Sequence, residues 1–490
     1  MISAPLSAVG KRREITLLAI TILTALAVAR LPLMPLAAMV GGTAIVMVTL
    51  IEPLSGLALT LVIAPLAAYT NYMTGAVLRP LDIGQMMLGL ALGAWLLRGL
   101  ARREIRLPLV PLLWPLLIFV GWATISLLWA QSFEYAIPEV IKWVQVVLIM
   151  LIVVEARDRR SLGWVIAGML ASGVLQAALG IWQYGLRGIG PETFKISEHL
   201  YRAYGSFEQP NPYAGYIGLI WPIAAGLLIG QISNLRARIP KGRAVMHLAS
   251  RGLPLATCAM LLISALVFSW SRGAWLGALA AIVVMAAALP RRIWLGVGGV
   301  ALAVAVLLGA NTIGVLPGAI RSRLTDFTQQ AQVFDARGVG INDANYAVLE
   351  RLAHWQVAGE MIRYHPWTGV GFSNYEPAYP QYALMNWPIP LGHAHNYYLN
   401  VLAESGIVGL GAYLVLWGVI FWTAWRAVRS TRGLAQGIAA GAFGVLIALS
   451  VHNLFDDLFV HSMQMEVGIT LGLMQVVRSE RSGDPAFIAG

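Results

Sequence analysis

Residues 139–160 read EVIKWVQVVLIMLIVVEARDRR. After Glu139, and apart from Lys142 and Gln145, the run is apolar up to Val154, and it ends in a basic cluster, Arg157, Arg159 and Arg160. An apolar stretch of roughly 20 residues is what one bilayer-spanning helix requires. The same pattern recurs along the chain. About fourteen such runs are present, near 15–30, 34–51, 53–72, 83–98, 109–129, 139–155, 161–185, 212–230, 254–270, 273–289, 293–310, 399–425, 433–451 and 459–477. Only 12% of the 490 residues are charged and 58% are hydrophobic, against about 25% charged in soluble domains. The expectation is an all-α polytopic membrane protein.

The positive charge orients it. The net charge is +11, which on a soluble chain would raise nucleic-acid binding; here no nucleic-acid partner is expected, because lysine and arginine in short loops set membrane topology. With the N-terminus in the cytoplasm, 22 of the 34 basic residues fall on that side, among them Lys11, Arg12 and Arg13, Arg102 and Arg103, and Arg291 and Arg292. Inverting the topology puts these clusters outside. Both termini are therefore expected inside, in a bacterial inner membrane. The first run lacks a small-residue cleavage site and reads as a retained span. Lone Cys258 excludes an internal disulfide. The divisions expected are spans over 1–310, a large outer loop over 311–398, spans over 399–477 and a disordered cytoplasmic tail over 478–490.

The outer side collects the polar residues. Before one span comes Arg202-Ala-Tyr-Gly-Ser-Phe-Glu-Gln-Pro-Asn211-Pro212. Asn211 fits a helix cap with Pro212 at the first helical position. A snorkelling side chain accounts for Arg202 as well as a functional role does. Between two further runs, Ser269-Trp-Ser-Arg272-Gly273-Ala-Trp275 reads as a tight hairpin turning at Gly273. That leaves Arg272 at the membrane boundary, where a guanidinium favours phosphate as its partner. In the large loop, Arg351 to Arg363 has helical spacing with Leu352, Trp355, Ala358 or Gly359, and Ile362 on one stripe. Gly369 and Gly371 follow, suited to close backbone approach or a turn. The loop closes on His393-Ala-His395-Asn396. A metal would need more ligands than H-x-H, and the outer loops show no matching cluster, so no metal or other cofactor is expected; His395 as a general base is more economical. The segment His452-Asn-Leu-Phe-Asp-Asp457 reads as a polar turn, with lining of an acceptor path as the alternative.

His395-Asn396, nine residues, then Gly406-x-x-Gly409 resembles the signature of bacterial O-antigen ligases. The Arg202-x-x-Gly205 and Ser271-Arg272-Gly273 segments, Trp355 and Pro366-x-x-Gly369-x-Gly371 are similar to that family in kind and order, over roughly 200–410. The resemblance implies a GT-C-like, metal-independent membrane glycosyltransferase. Such an enzyme moves a glycan from undecaprenyl pyrophosphate to an acceptor hydroxyl at the outer leaflet. The ligases use lipid A–core and the related polymerases another lipid-linked repeat. It implies catalytic roles for His395, Arg272 and Arg202. Asn211, Asn396, His393, Trp355, Arg351, Gly369 and Gly371 are the expected donor- or acceptor-binding residues. Ligases have about twelve spans where fourteen are read here, which leaves the acceptor open. A small-anion transporter and a non-catalytic assembly scaffold are the rival classes. Against transport, the polar groups crowd one face rather than the midplane.

Overall fold

The computed structural model describes residues 32–74, 83–103, 108–156, 159–238, 252–290, 292–312, 335–342 and 345–482. Its helices are α1 (Leu33–Ile51), α2 (Pro53–Thr74), α3 (Ile83–Arg102), α4 (Leu113–Ile125), α5 (Phe133–Glu155), α6 (Arg159–Ile181), α7 (Pro210–Gly218), α8 (Trp221–Arg238), α9 (Leu253–Phe268), α10 (Arg272–Ala288), α11 (Ile293–Thr312), α12 (Tyr346–Tyr364), α13 (Tyr375–Tyr382), α14 (Tyr397–Ser430), α15 (Gly433–His452) and α16 (Gln464–Ser482). Each expected run from 34 to 477 has a helix at its centre; the first, 15–30, lies outside the described residues. Among the described residues, six helices are long and apolar enough to cross a membrane by length and composition, and six further apolar helices are shorter. The chain is a membrane protein.

α16 belongs to neither group. It carries Gln464, Glu466, Thr470 and Gln475, and its side chains from Gln464 to Val477 are all buried. Protein rather than lipid surrounds it, which explains why it tolerates polar groups. It also runs to Ser482, so part of the expected tail is helical, and 483–490 lie outside the described residues. Charged groups also lie within the apolar helices. Glu139 and Lys142 pair at 2.6 Å inside α5, and Lys142 donates to Phe459 O. Glu404 is buried inside α14 and Glu466 inside α16.

α15 is the hub of the bundle. It packs along α8 through two G-x-x-x-G patterns, Gly226/Gly230 and Gly437/Gly441. A Cβ on Gly226 would stand 2.2 Å from Gly437 O. Without a hydrophobic effect between helices in lipid, close backbone approach of this kind drives association. α10 lies against the same helix, Gly277 facing Ala448 O. The C-terminal end of α15 is thereby fixed, and the candidate site is built around it.

The only strands among the described residues are Lys195–Ser197 and Leu200–Tyr201, an antiparallel pair before Arg202. The expected outer loop is partly helical, supplying α12 and α13; its residues 313–334 and 343–344 lie outside the described residues.

Candidate active site

Arg202 is held from three directions. Its Nε donates to Ser269 O at 2.9 Å, and Nη2 donates to Asn211 Oδ1 at 3.3 Å. Next along the chain, Ala203 N–H donates to Phe268 O. Beyond it, Gln183 brackets Gly205 through both amide atoms, and Gln176 binds Ser206. Asn211 therefore orients Arg202 and does not cap the helix. The N-cap of α7 is Gln209 with Pro210 at the first position, two residues earlier than expected. Either Asn-Pro or Gln-Pro suits a helix start, and the arginine takes the asparagine.

The 269–271 turn that accepts Arg202 leads directly into Arg272, so the two guanidiniums issue from one knot of backbone. The hairpin does not turn at Gly273 as expected. Trp270 makes the turn at φ 55°, and Gly273 sits in the first turn of α10. There a Cβ would lie 2.7 Å from His452 Cδ2. Arg272 is thus beside the end of α15.

From that end the chain continues to Asn453, whose carbonyl accepts from Tyr397 N–H at 2.8 Å. This bond docks the start of α14, and with it His393, His395 and Asn396, beside the 452–457 segment. Asn396 caps α14 by accepting from Leu399 N–H at 3.0 Å. That contact uses its side-chain oxygen within the protein. His393 Nε2 faces Asp456 Oδ1 at 3.7 Å, and its Nδ1 accepts the His395 backbone N–H at 3.0 Å. His395 has φ 51°, a left-handed backbone that non-glycine residues adopt at a cost. Neither of its ring nitrogens has a hydrogen-bond partner. Burial and the neighbouring His393 hold its pKa well below that of a free imidazole, with Arg351 and His354 acting in the same direction and Asp456 opposing. The ring is a neutral imidazole with a lone pair to offer.

The other wall is α12. Its buried face is Leu349, Ala353, His354, Val357, Ala358 and Met361. Of the expected stripe, Ala358 lies on this buried face, Leu352 and Ile362 are only partly buried at its edges, and Trp355 is exposed. The helix is covered by α13 and the start of α14 rather than resting on one apolar stripe. His354 is fully buried with its ring centroid 5.7 Å from that of His395. Its Nδ1 lies 3.3 Å from Tyr375 Oη, whose hydroxyl donates to His354 O. Tyr375 is then left to accept, which gives His354 its Nδ1–H tautomer, while Nε2 is buried without a partner. Burial first and then His393 lower its pKa to about 4. Arg351, one turn away, is half-buried and bears on both His395 and His452.

Gly369 and Gly371 serve packing. At Gly369 (φ 67°) a Cβ would stand 2.2 Å from the Glu404 backbone, and at Gly406 (φ 66°) 2.2 Å from that of Trp367. The loop and the break in α14 interlock. Val370 N–H bonds Ala403 O, Gly371 N–H bonds Glu404 O and Ile407 N–H bonds Pro366 O. The Glu404 carboxylate accepts from Ser373 and Tyr375 N–H at the start of α13. This clamp positions the short first segment of α14, which His395 precedes by two residues.

Two members of the site were not singled out in the sequence. Asp456 lies 61 residues beyond His395 with no local spacing to betray it; its one signal was the polar interruption between the last two runs. His354 was hidden by the misplaced stripe. The expectation that no carboxylate joins the H-x-H pair is overturned, since His393, His395 and Asp456 offer ligand atoms within 4.8 Å of one another.

Residues 257–414 match the family model described as O-antigen ligase. Over this third of the chain the sequence is similar to that family. The match covers Arg272, Arg351, His354, His393, His395 and both glycine pairs, and stops short of Arg202 and Asp456. No curated protein matches the chain. The similarity supports a membrane glycan-processing role of the ligase or polymerase type.

Proposed function

We propose that the protein is a glycosyltransferase of O-antigen ligase type, moving a glycan from undecaprenyl pyrophosphate to a hydroxyl of lipid A–core at the outer face of the inner membrane. The observation that carries this reading is His395, a neutral imidazole with both nitrogens unpartnered on a strained backbone, among arginines. Arg272, Arg202 and Arg351 supply the fork-shaped cations suited to a pyrophosphate. Their charge offsets the negative charge that develops as the bond from anomeric carbon to pyrophosphate oxygen breaks. The acceptor hydroxyl attacks from the opposite face and gives its proton to His395, a contribution typically of about 10²–10⁴-fold. Displacement in one step inverts the anomeric centre. The reaction as written calls on no metal.

The test is transfer by the purified chain from undecaprenyl-pyrophosphate glycan, offering lipid A–core and lipid-linked glycan as separate acceptors, with EDTA and His395→Ala as controls. EDTA-resistant, His395-dependent transfer to lipid A–core is expected. Elongation of the lipid-linked glycan would replace the ligase reading by a polymerase one, with the same donor chemistry. Transfer that survives His395→Ala would overturn the proposal.

A further inference from the structure

The 452–457 segment brings a buried carboxylate to a pair of histidines that the chemistry above uses only in part. A ring nitrogen of His393, a nitrogen of His395 and an Asp456 oxygen lie within 4.8 Å of one another, and His393 Nε2 stands 3.7 Å from Asp456 Oδ1. In a tetrahedral zinc site with bonds near 2.0–2.2 Å, donor atoms stand roughly 3.3 Å apart. The widest pair must therefore close by about 1.5 Å, a movement within reach of side-chain rotation. Two imidazoles and one carboxylate are a donor set suited to zinc, and three protein ligands leave a fourth position open. The surroundings favour a cation as well. Asp456 is almost fully buried at 6% exposure, and its neighbours offer it the His393 ring and the Asp457 backbone N–H rather than an arginine or lysine.

We infer that His393, His395 and Asp456 form a transition-metal site, and that a zinc ion bound there takes the His395 lone pair and so switches the active site off. This inference rests on the reading of His395 as the base. Electron pairs and protons balance without a co-reactant. In the metal-free arrangement His393 accepts at Nδ1 and therefore carries its proton on Nε2, toward Asp456. Coordination through Nε2 moves that proton to Nδ1, and the His395 backbone loses its acceptor. The metal-bound and metal-free arrangements are thus mutually exclusive, and zinc acts as an inhibitor, not a cofactor.

The experiment uses the full chain in detergent, purified without a histidine tag, and zinc ions alone as the probe. Equilibrium dialysis is expected to give one tight zinc per chain. Asp456→Asn, which keeps the shape of the side chain, and His393→Gln should each weaken binding about tenfold or more. Cobalt(II) titrated into the unaltered chain should give the strong visible bands of a tetrahedral site, a readout that does not depend on any variant folding. Equal zinc affinity in the unaltered chain and both variants, or a cobalt spectrum of the free aqueous ion, would overturn the site. In the transfer assay zinc should inhibit and EDTA should restore activity. Tight zinc binding with undiminished transfer overturns the role of His395 and the inhibition while leaving the metal site standing. Absence of zinc binding alongside His395-dependent transfer does the reverse.

Discussion

Gly406→Ala tests how the site is held. The residue lies at φ 66°, and an added Cβ would stand 2.2 Å from the carbonyl carbon and oxygen of Trp367. An alanine in the left-handed region costs about 1–2 kcal/mol. Overpacking against rigid neighbours typically adds about 1–3 kcal/mol. The alternative is to release the Pro366–Gly371 loop, giving up three backbone hydrogen bonds at about 1 kcal/mol each. Both routes cost about 3 kcal/mol, and the chain takes the cheaper, so the loop's attachment weakens by roughly 100-fold. Hydrogen exchange read by mass spectrometry should show the amides of Val370, Gly371 and Ile407 exchanging about 100-fold faster, and transfer should fall as His395 loses its platform. Gly411→Ala, five residues along the same helix with nothing within 4 Å of its Cβ, is the control. Unchanged exchange in Gly406→Ala would refute the interlock.

Arg272→Ala should abolish transfer without unfolding the protein, and Arg272→Lys should also be impaired, because a point charge does not replace a planar fork; normal glycan product from either would count against the pyrophosphate role. Asn211→Ala should remove one of the bonds that orient Arg202 and give transfer rates between those of wild type and Arg202→Ala. Gly437→Leu should drive α8 and α15 apart and lower the thermal midpoint in detergent sharply, whereas Gly411→Leu should not. His354 is held neutral, with its folded pKa at about 4 against 6.5 when free. Above pH 6.5 neither folded nor unfolded chain holds the proton; between 6.5 and 4 the unfolded chain takes it first, so stability falls as pH falls. Thermal midpoints across that range should drop less steeply in His354→Gln, and equal slopes would contradict the burial argument.

The helices were legible because lipid demands long apolar runs, and thirteen of the expected runs hold helices. The segments carrying Arg202, Arg272, His393 and His395 stood out as short polar motifs, and the structure brings these segments together. What was not legible depends on pairing across distance. Asp456 reaches His393 only because Asn453 docks Tyr397. His354 faces His395 only because α12 is buried on the side opposite its large aromatic residue. Gly369 and Gly371 advertised backbone approach, and nothing local said that the approaching group was the broken helix of the same chain and not a ligand.

The glycine seam between α8 and α15 makes the two sides of the site mechanically unlike. Backbones in contact at 2.2 Å from a missing Cβ leave no slack for sliding, so the floor under Arg272, His452 and Asp456 behaves as a fixed anvil. The opposite side is fastened by a few hydrogen bonds between loop and helix. Any breathing must occur there, in α12, α13 and the loop between them, while His395, docked through Tyr397 N–H to Asn453 O, keeps its place beside the fixed side. The side chains gathered at the end of α15 would then keep their spacing whether the loop side is open or closed.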